Sequence, residues 1–246
     1  MPKHFFLTFL AVCLLIIPAC AEAPLSSGHK VNPNTDVIIG SMEAPNELII
    51  YLSPGHKESL TFFLKHYRQM KSQYIDKNKL RLIIREVPEL IFHLKDEDGK
   101  SNKYEEAKKH STMLATHLRC AKHYHGDEAY AKTWDLIGIS VAIPAARMNA
   151  ANWPYYNQKA TEAVFFNMGK GAQITKEEYI SCEKDPLQTE FQTLFDRYAD
   201  ILTKSAGVSM PPAAFMNGKQ IEMTEGNKHA EIMLFLKENL EEEYKH

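Results

Sequence analysis

Glu47-Leu48-Ile49-Ile50-Tyr51-Leu52-Ser53-Pro54-Gly55-His56-Lys57-Glu58-Ser59 is the stretch that decides how this chain is read. Its first seven residues form a near-continuous apolar run, the pattern of a strand buried on both faces. Pro54-Gly55 breaks the run. From Lys57 to about Tyr74, the residues Leu60, Phe63, Leu64, Tyr67 and Met70 recur at helical spacing on one face. A strand that turns straight into a helix places the helix's positive dipole end at the turn. A thiol at such a turn has a lowered pKa and becomes a nucleophile. Here the turn holds His56, Lys57, Glu58 and Ser59, and no sulfur.

Upstream, Asp36-Val37-Ile38-Ile39-Gly40 reads as a short strand ended by glycine, and Ser41 to Asn46 as a turn. Residues 22–35 are polar, with Pro and Gly, and read as a linker. Downstream, Leu80 to Val87 is a third strand, stopped by Pro88. Two parallel strands joined by a helix give a right-handed βαβ unit. Helical patterns then fill residues 104–206: Tyr104 to Tyr124, Asp127 to Val141, a helix capped at Thr175, and Leu187 to Ser205 with Gly207 as C-cap. Thr175-Lys176-Glu177-Glu178 fits a capping box. Asn149 to Gln173, with Trp153-Pro154 and Gly169-Lys170-Gly171, reads as mixed loop and helix. Two short strands follow, Ala213 to Met216 and Gln220 to Met223, joined by Asn217-Gly218, a two-residue hairpin signal. A last amphipathic helix carries Ile232, Met233, Leu236 and Leu240 on one stripe. The outline is α/β: a βαβ half over residues 36–90, a helical insertion over 91–206, and a ββα half over 207–246.

The N-terminus carries a targeting pattern. Lys3 precedes an apolar run from Phe5 to Ile17, too short to span a bilayer, followed by Ala19-Cys20-Ala21. Residues 1–21 are therefore expected to be a secretory signal peptide. Two cleavage routes fit: ordinary cleavage after Ala21, or a lipoprotein-like box, Ile17-Pro18-Ala19-Cys20, that would make Cys20 a lipidated first residue. The first leaves a soluble exported protein and the second a membrane-tethered one. Either implies an oxidising compartment, such as the bacterial periplasm or the membrane surface facing it. Of four cysteines, Cys13 and Cys20 fall in the signal segment. Cys120 and Cys182 remain for the folded body, which suggests one disulfide. With 29 basic and 31 acidic residues, net charge −2, nothing supports nucleic-acid binding.

This outline resembles the DsbA family, a thioredoxin fold interrupted by a helical domain. Three segments carry the resemblance, which spans about Asp36 to Glu238. Asp36-Val37-Ile38-Ile39-Gly40-Ser41-Met42-Glu43-Ala44-Pro45 is similar to the family's first strand and turn. Tyr51-Leu52-Ser53 and the helix after it are similar to the approach to its active site. Gly207-Val208-Ser209-Met210-Pro211-Pro212-Ala213-Ala214-Phe215-Met216-Asn217-Gly218-Lys219 is similar to its cis-proline strand and hairpin, with Pro212 at the cis-proline position.

The family's chemistry does not carry over with the fold. His56 and Ser59 stand where the resemblance expects the two active-site cysteines, and neither can form a mixed disulfide. Ile50 stands where the family has a buried acid that moves protons for the thiolate. Pro211 precedes the cis-proline position and has no N–H to dock an extended substrate. The resemblance therefore implies a non-catalytic exported protein without a cofactor or metal. Its groove, lined by Pro54, His56, Ser59, Pro211 and Pro212, would bind a protein or peptide partner or serve assembly, including as a dimer. It also implies a structural Cys120–Cys182 bridge, which at about 60 residues of closed loop is worth about 4 kcal/mol. Two buried free thiols are the alternative.

Other readings compete. Cys120 and Cys182 could themselves exchange disulfides as an oxidoreductase or isomerase. Ser53-Pro54-Gly55-His56 holds half of the Ser-Pro-x-Ser motif with which kappa-class glutathione transferases and hydroxychromene-carboxylate isomerases hold a glutathione sulfur. His56 and Ser59, one helical turn apart, could be a base and a nucleophile, but are more simply solvent-compatible replacements. His117, Cys120, His123 and His125 invite a metal reading, with 117, 120 and 123 in steps of three along one drifting helix side, but no second cluster supplies the remaining ligands.

Overall fold

The computed structural model describes residues 30–33, 35–88, 102–145, 174–202 and 211–241. The expected signal peptide, Cys20, most of the linker and the Asn149–Gln173 segment lie outside the described residues.

Five strands form one mixed sheet in the order β1-β3-β2-β4-β5. They are β1 (Val37–Ile39), β2 (Asn46–Leu52), β3 (Leu80–Glu86), β4 (Ala213–Met216) and β5 (Lys219–Gln220). β2 and β3 run parallel, with Leu48 beside Leu82 and Ile50 beside Ile84. β1 is antiparallel to β3 and β4 antiparallel to β2. β5 is shorter than its residues suggest, ending at Gln220 where a strand to Met223 was expected. The β4–β5 turn is the anticipated hairpin: Asn217 and Gly218 have φ of 47° and 84°, the left-handed pair that a type I′ turn requires. Asn217 also ties the hairpin to β2, because its Oδ1 accepts the Glu47 N–H at 2.8 Å and its own N–H donates to Glu47 O at 2.8 Å.

The helix after β2, α1, begins as Lys57–Phe62 and runs on through a π-helical turn (Phe63–Tyr67), a short α segment (Arg68–Met70) and a second π-helical turn (Lys71–Ile75). Periodicity alone forecast a plain helix. Next come α2 (Asn102–Ala145), α3 (Lys176–Glu183), α4 (Pro186–Asp200) and α5 (Lys228–Glu241). The two sequence helices on either side of residue 126 are one element interrupted at Gly126, whose φ is 78°. Thr175 makes the capping box in full: its side chain accepts the Glu178 N–H, and the Glu178 carboxylate accepts the Thr175 N–H at 2.7 Å. Gly40 has φ +100°, and a Cβ there would lie 2.8 Å from the Ile75 side chain, so the chain turns tightly beside α1 only with glycine.

The central strands are buried on both faces, for β2 as its apolar run predicts. Leu48, Ile50, Leu52, Leu82 and Ile84 pack with Phe62, Phe63 and Met70 of α1 and with Ile232 and Leu236 of α5. Ile49, Tyr51, Ile83 and Phe215 pack on the other face with Tyr198 and Leu202. α2 joins the first core: the Trp134 ring stacks on Phe63 with centroids 4.5 Å apart and planes 2° from parallel. The helical insertion and the sheet domain thus share one core.

Candidate functional site

The site is built where β2 ends. Leu52 completes the β2 ladder by accepting the Val87 N–H at 2.9 Å. Ser53-Pro54-Gly55-His56 then forms a turn closed by the His56 N–H donating to Ser53 O at 3.0 Å. Proline at the second position presets its φ for such a turn. His56 is the N-cap of α1, extended at φ −97° and ψ 130°, and its carbonyl accepts the Leu60 N–H at 3.0 Å. Its side chain caps nothing. One turn on, Ser59 is fully buried, and its Oγ accepts the Ser53 N–H at 3.1 Å. Ser59 is therefore a buried strut between turn and helix, which corrects its reading as a solvent-compatible replacement. A hydroxyl can sit there because it finds a backbone donor.

Pro211 and Pro212 are both buried and joined by a cis peptide bond. The β2–β4 register pairs Tyr51 with Ala213. Continued by one residue, it places Pro212 beside Leu52, next to the turn. Pro54 is buried as well, and His56 is half-buried. Ile50 is fully buried in the apolar core.

α5 supplies the charges around this turn. Glu58 Oε2 accepts the Lys228 backbone N–H at 3.0 Å. Lys228 is itself buried, its Nζ 2.7 Å from Glu225. His229 Nδ1 lies 4.0 Å from the same Glu58 oxygen, and its ring lies 5.3 Å from that of His66. The His56 pKa is lowered to about 4, first by burial and then by the Lys228 charge, with Glu225 opposing. His56 is thus neutral at pH 7. Among the described residues the buried Ser53 Oγ and His56 Nδ1 have no hydrogen-bond partner. Among the described residues no hydrogen bond joins His56 to Ser59. A nucleophile needs its base within hydrogen-bond reach, so the pair does not form a catalytic dyad in this arrangement.

The two body cysteines are elsewhere. Cys120 of α2 and Cys182 of α3 form a disulfide with Cα atoms 5.9 Å apart. Both are buried, in a cluster with Ala121, Ala129, Ile174 and Tyr179. The free-thiol alternative is therefore corrected, and so is the metal reading that needed a Cys120 thiolate. His117 stacks on Tyr179 and His125 meets Glu178. Among the described residues no three His, Cys, Asp or Glu side chains gather as metal ligands.

Two buried ionic networks were not foreseen. Asp36 accepts from Arg85 Nε and Nη2, both at 2.9 Å, and from the Tyr198 hydroxyl at 2.6 Å. Arg85 Nη1 donates to the Tyr51 hydroxyl at 2.8 Å. Glu86, fully buried, accepts from Arg119 Nη2 at 2.6 Å and from the Tyr130 hydroxyl at 2.6 Å. The available signal was Arg85-Glu86 directly after the apolar Leu82-Ile83-Ile84 of a central strand, since charges enter such positions only when paired.

The thioredoxin family model matches residues 32–234. No curated protein matches the chain by sequence. Among solved structures, the chain is similar to alpha-DsbA1 of Wolbachia pipientis, with TM-score 0.54 and 17% identity over 89% of this chain and 97% of that one. It is similar to DsbA of Chlamydia trachomatis, with TM-score 0.52 and 14% identity over 85% and 94%. It is also similar to a protein-disulfide isomerase of Novosphingobium aromaticivorans, with TM-score 0.52 and 13% identity over 83% and 98%. At these identities the likeness is one of fold, a thioredoxin-like sheet with a helical insertion.

Proposed function

The chain belongs to the thioredoxin family, and with that as premise we propose that it is an exported, redox-inactive protein of DsbA-like fold that works by binding. One observation carries this reading. The helix start at which this fold performs thiol chemistry holds His56 and Ser59, while Cys120 and Cys182 are spent on each other in a buried disulfide. Thiol–disulfide exchange needs an accessible thiolate to attack, and neither position offers one. The N-terminal pattern of Lys3, Phe5 to Ile17 and Ala19-Cys20-Ala21 supports export, which matches a structural disulfide. Among the described residues no helix is long and apolar enough to cross a membrane. The partner is a protein or peptide that meets the surface around His56 and the Pro211-Pro212 step.

The deciding experiment is insulin reduction and oxidative refolding of a scrambled substrate by residues 22–246, beside the Cys120→Ser, Cys182→Ser double variant. Neither protein is expected to exceed the reagent blank. Activity present in the first and lost in the second would overturn the proposal and move the redox centre to the helical insertion.

A further inference from the structure

Residues 30–33 and 35, before β1, lie on the sheet face that packs against α4. Between them lies a depression of about 360 Å³, lined by Lys30, Val31, Thr35, Arg85, Leu194, Arg197 and Ile201 with their neighbours. The volume lies at the small end of ligand sites, enough for a small organic acid or one acidic side chain. Its walls include Val31, Leu194 and Ile201, all half-buried and continuous with the apolar cluster around Tyr51 and Phe215.

The charge of the lining is one-sided. Among the described residues it contains Lys30, Arg85 and Arg197 and not a single Asp or Glu. Arg85, 1% exposed, forms the floor, and its charge is matched by Asp36 behind it at 2.9 Å. Asp36 is in turn saturated, accepting from Arg85, Tyr198 and the Asn32 N–H at 2.9 Å. Lys30 and Arg197 are exposed, and neither has an ion-pair partner among the described residues. The depression thus joins an apolar wall to two cations that no described residue pairs. A guanidinium fork matches a carboxylate in two parallel hydrogen bonds, and a lysine adds a point charge.

We propose that this depression binds a carboxylate carried on an apolar body, held by Arg197 and Lys30 over the apolar wall of Val31, Leu194 and Ile201. The carboxylate belongs to a free organic acid or to an acidic side chain of a peptide. The site lies on the α4 face of the sheet, whereas His56 begins a helix packed on the other face. The proposal is thus independent of whether the protein is redox-active.

Isothermal titration of residues 22–246 tests it, with hydrocinnamate as probe and hydrocinnamyl alcohol as its neutral counterpart. Acetyl-Leu-Glu-amide against acetyl-Leu-Gln-amide forms the peptide arm. At least one acid is expected to bind about tenfold or more tighter than its neutral partner, and more weakly as salt rises. Arg197→Gln and Lys30→Gln, both at exposed positions, are each expected to weaken that binding by about tenfold, with the circular dichroism melt unchanged. Discrimination by the free acids alone assigns the source to a small molecule, and discrimination by the peptides alone assigns it to a protein. The proposal is overturned if neither acid outbinds its neutral partner, if both variants bind like the parent, or if inorganic phosphate competes as well as the carboxylates.

Discussion

Glu58 lies between His56 and Ser59 in sequence, yet its carboxylate points across to α5. It accepts the Lys228 N–H, one of the donors a helix start leaves without an intrahelical partner, and its negative charge faces the positive end of the α5 dipole. One side chain thus fastens the site helix to the C-terminal helix. Glu58→Ala is expected to cost about 1–2 kcal/mol in urea unfolding, the range of a lost helix cap. Glu58→Gln, which keeps an acceptor and loses the charge, is expected to recover part of that. Equal midpoints for the parent and Glu58→Ala would show that the contact contributes nothing. Ser59 makes the complementary point: its hydroxyl belongs to the backbone of the Ser53 turn and is structural.

The contact between α2 and α3 behaves as one unit. α3 spans 8 residues, too short to persist alone. It is held by the Thr175 capping box, by Cys120–Cys182, and by the His117 ring stacked 4.2 Å from Tyr179. His117 is 2% exposed, and burial pushes its pKa down from 6.5 to about 4. A lowered histidine pKa means that the folded state refuses a proton the unfolded chain accepts. The stability it contributes is therefore present above pH 6.5 and falls as pH drops towards 4, by at most about 1.4 kcal/mol per pH unit. His117→Phe keeps a ring on Tyr179 and removes the titration, so the loss between those pH values should shrink in urea titrations at stepped pH. It should not vanish, because His56 is lowered in the same direction. An unchanged pH profile in His117→Phe would exclude His117 as the source.

At the scale of the molecule, sheet and insertion are locked by Glu86 and Arg119. Arg119 on α2 donates to Glu86 through Nε and Nη2, and its guanidinium lies 4.2 Å from the Phe191 ring centroid of α4. Tyr130, farther along α2, closes the network on the second Glu86 oxygen. Removing one member of a buried pair leaves the other charged and dry, which costs about 3–5 kcal/mol. Arg119→Met should lose that much in urea. Because the two regions share the Phe63–Trp134 core, the parent should unfold in one transition with coincident near- and far-ultraviolet curves. Separate transitions in the parent would show that the insertion folds by itself.

The amino-acid sequence by itself determined the order of elements, the two-sided burial of β2, the Asn217-Gly218 hairpin, the Thr175 cap and the absence of sulfur at the site. Each rests on short-range chemistry: apolar period, turn residues, capping oxygens and the identity of His56 and Ser59. Only the tertiary structure decided that Ser59 faces a backbone N–H, that Glu58 caps α5, that Asp36 and Glu86 are neutralised by Arg85 and Arg119, and that Lys30 and Arg197 rim one depression. Those contacts join residues 6 to 170 positions apart, and side-chain partners at such separations have no periodic signature in one chain. The π-helical turns of α1 escaped for a related reason. Their apolar spacing is that of an ordinary helix, and the widened turns become visible only once the helix is packed between sheet and insertion.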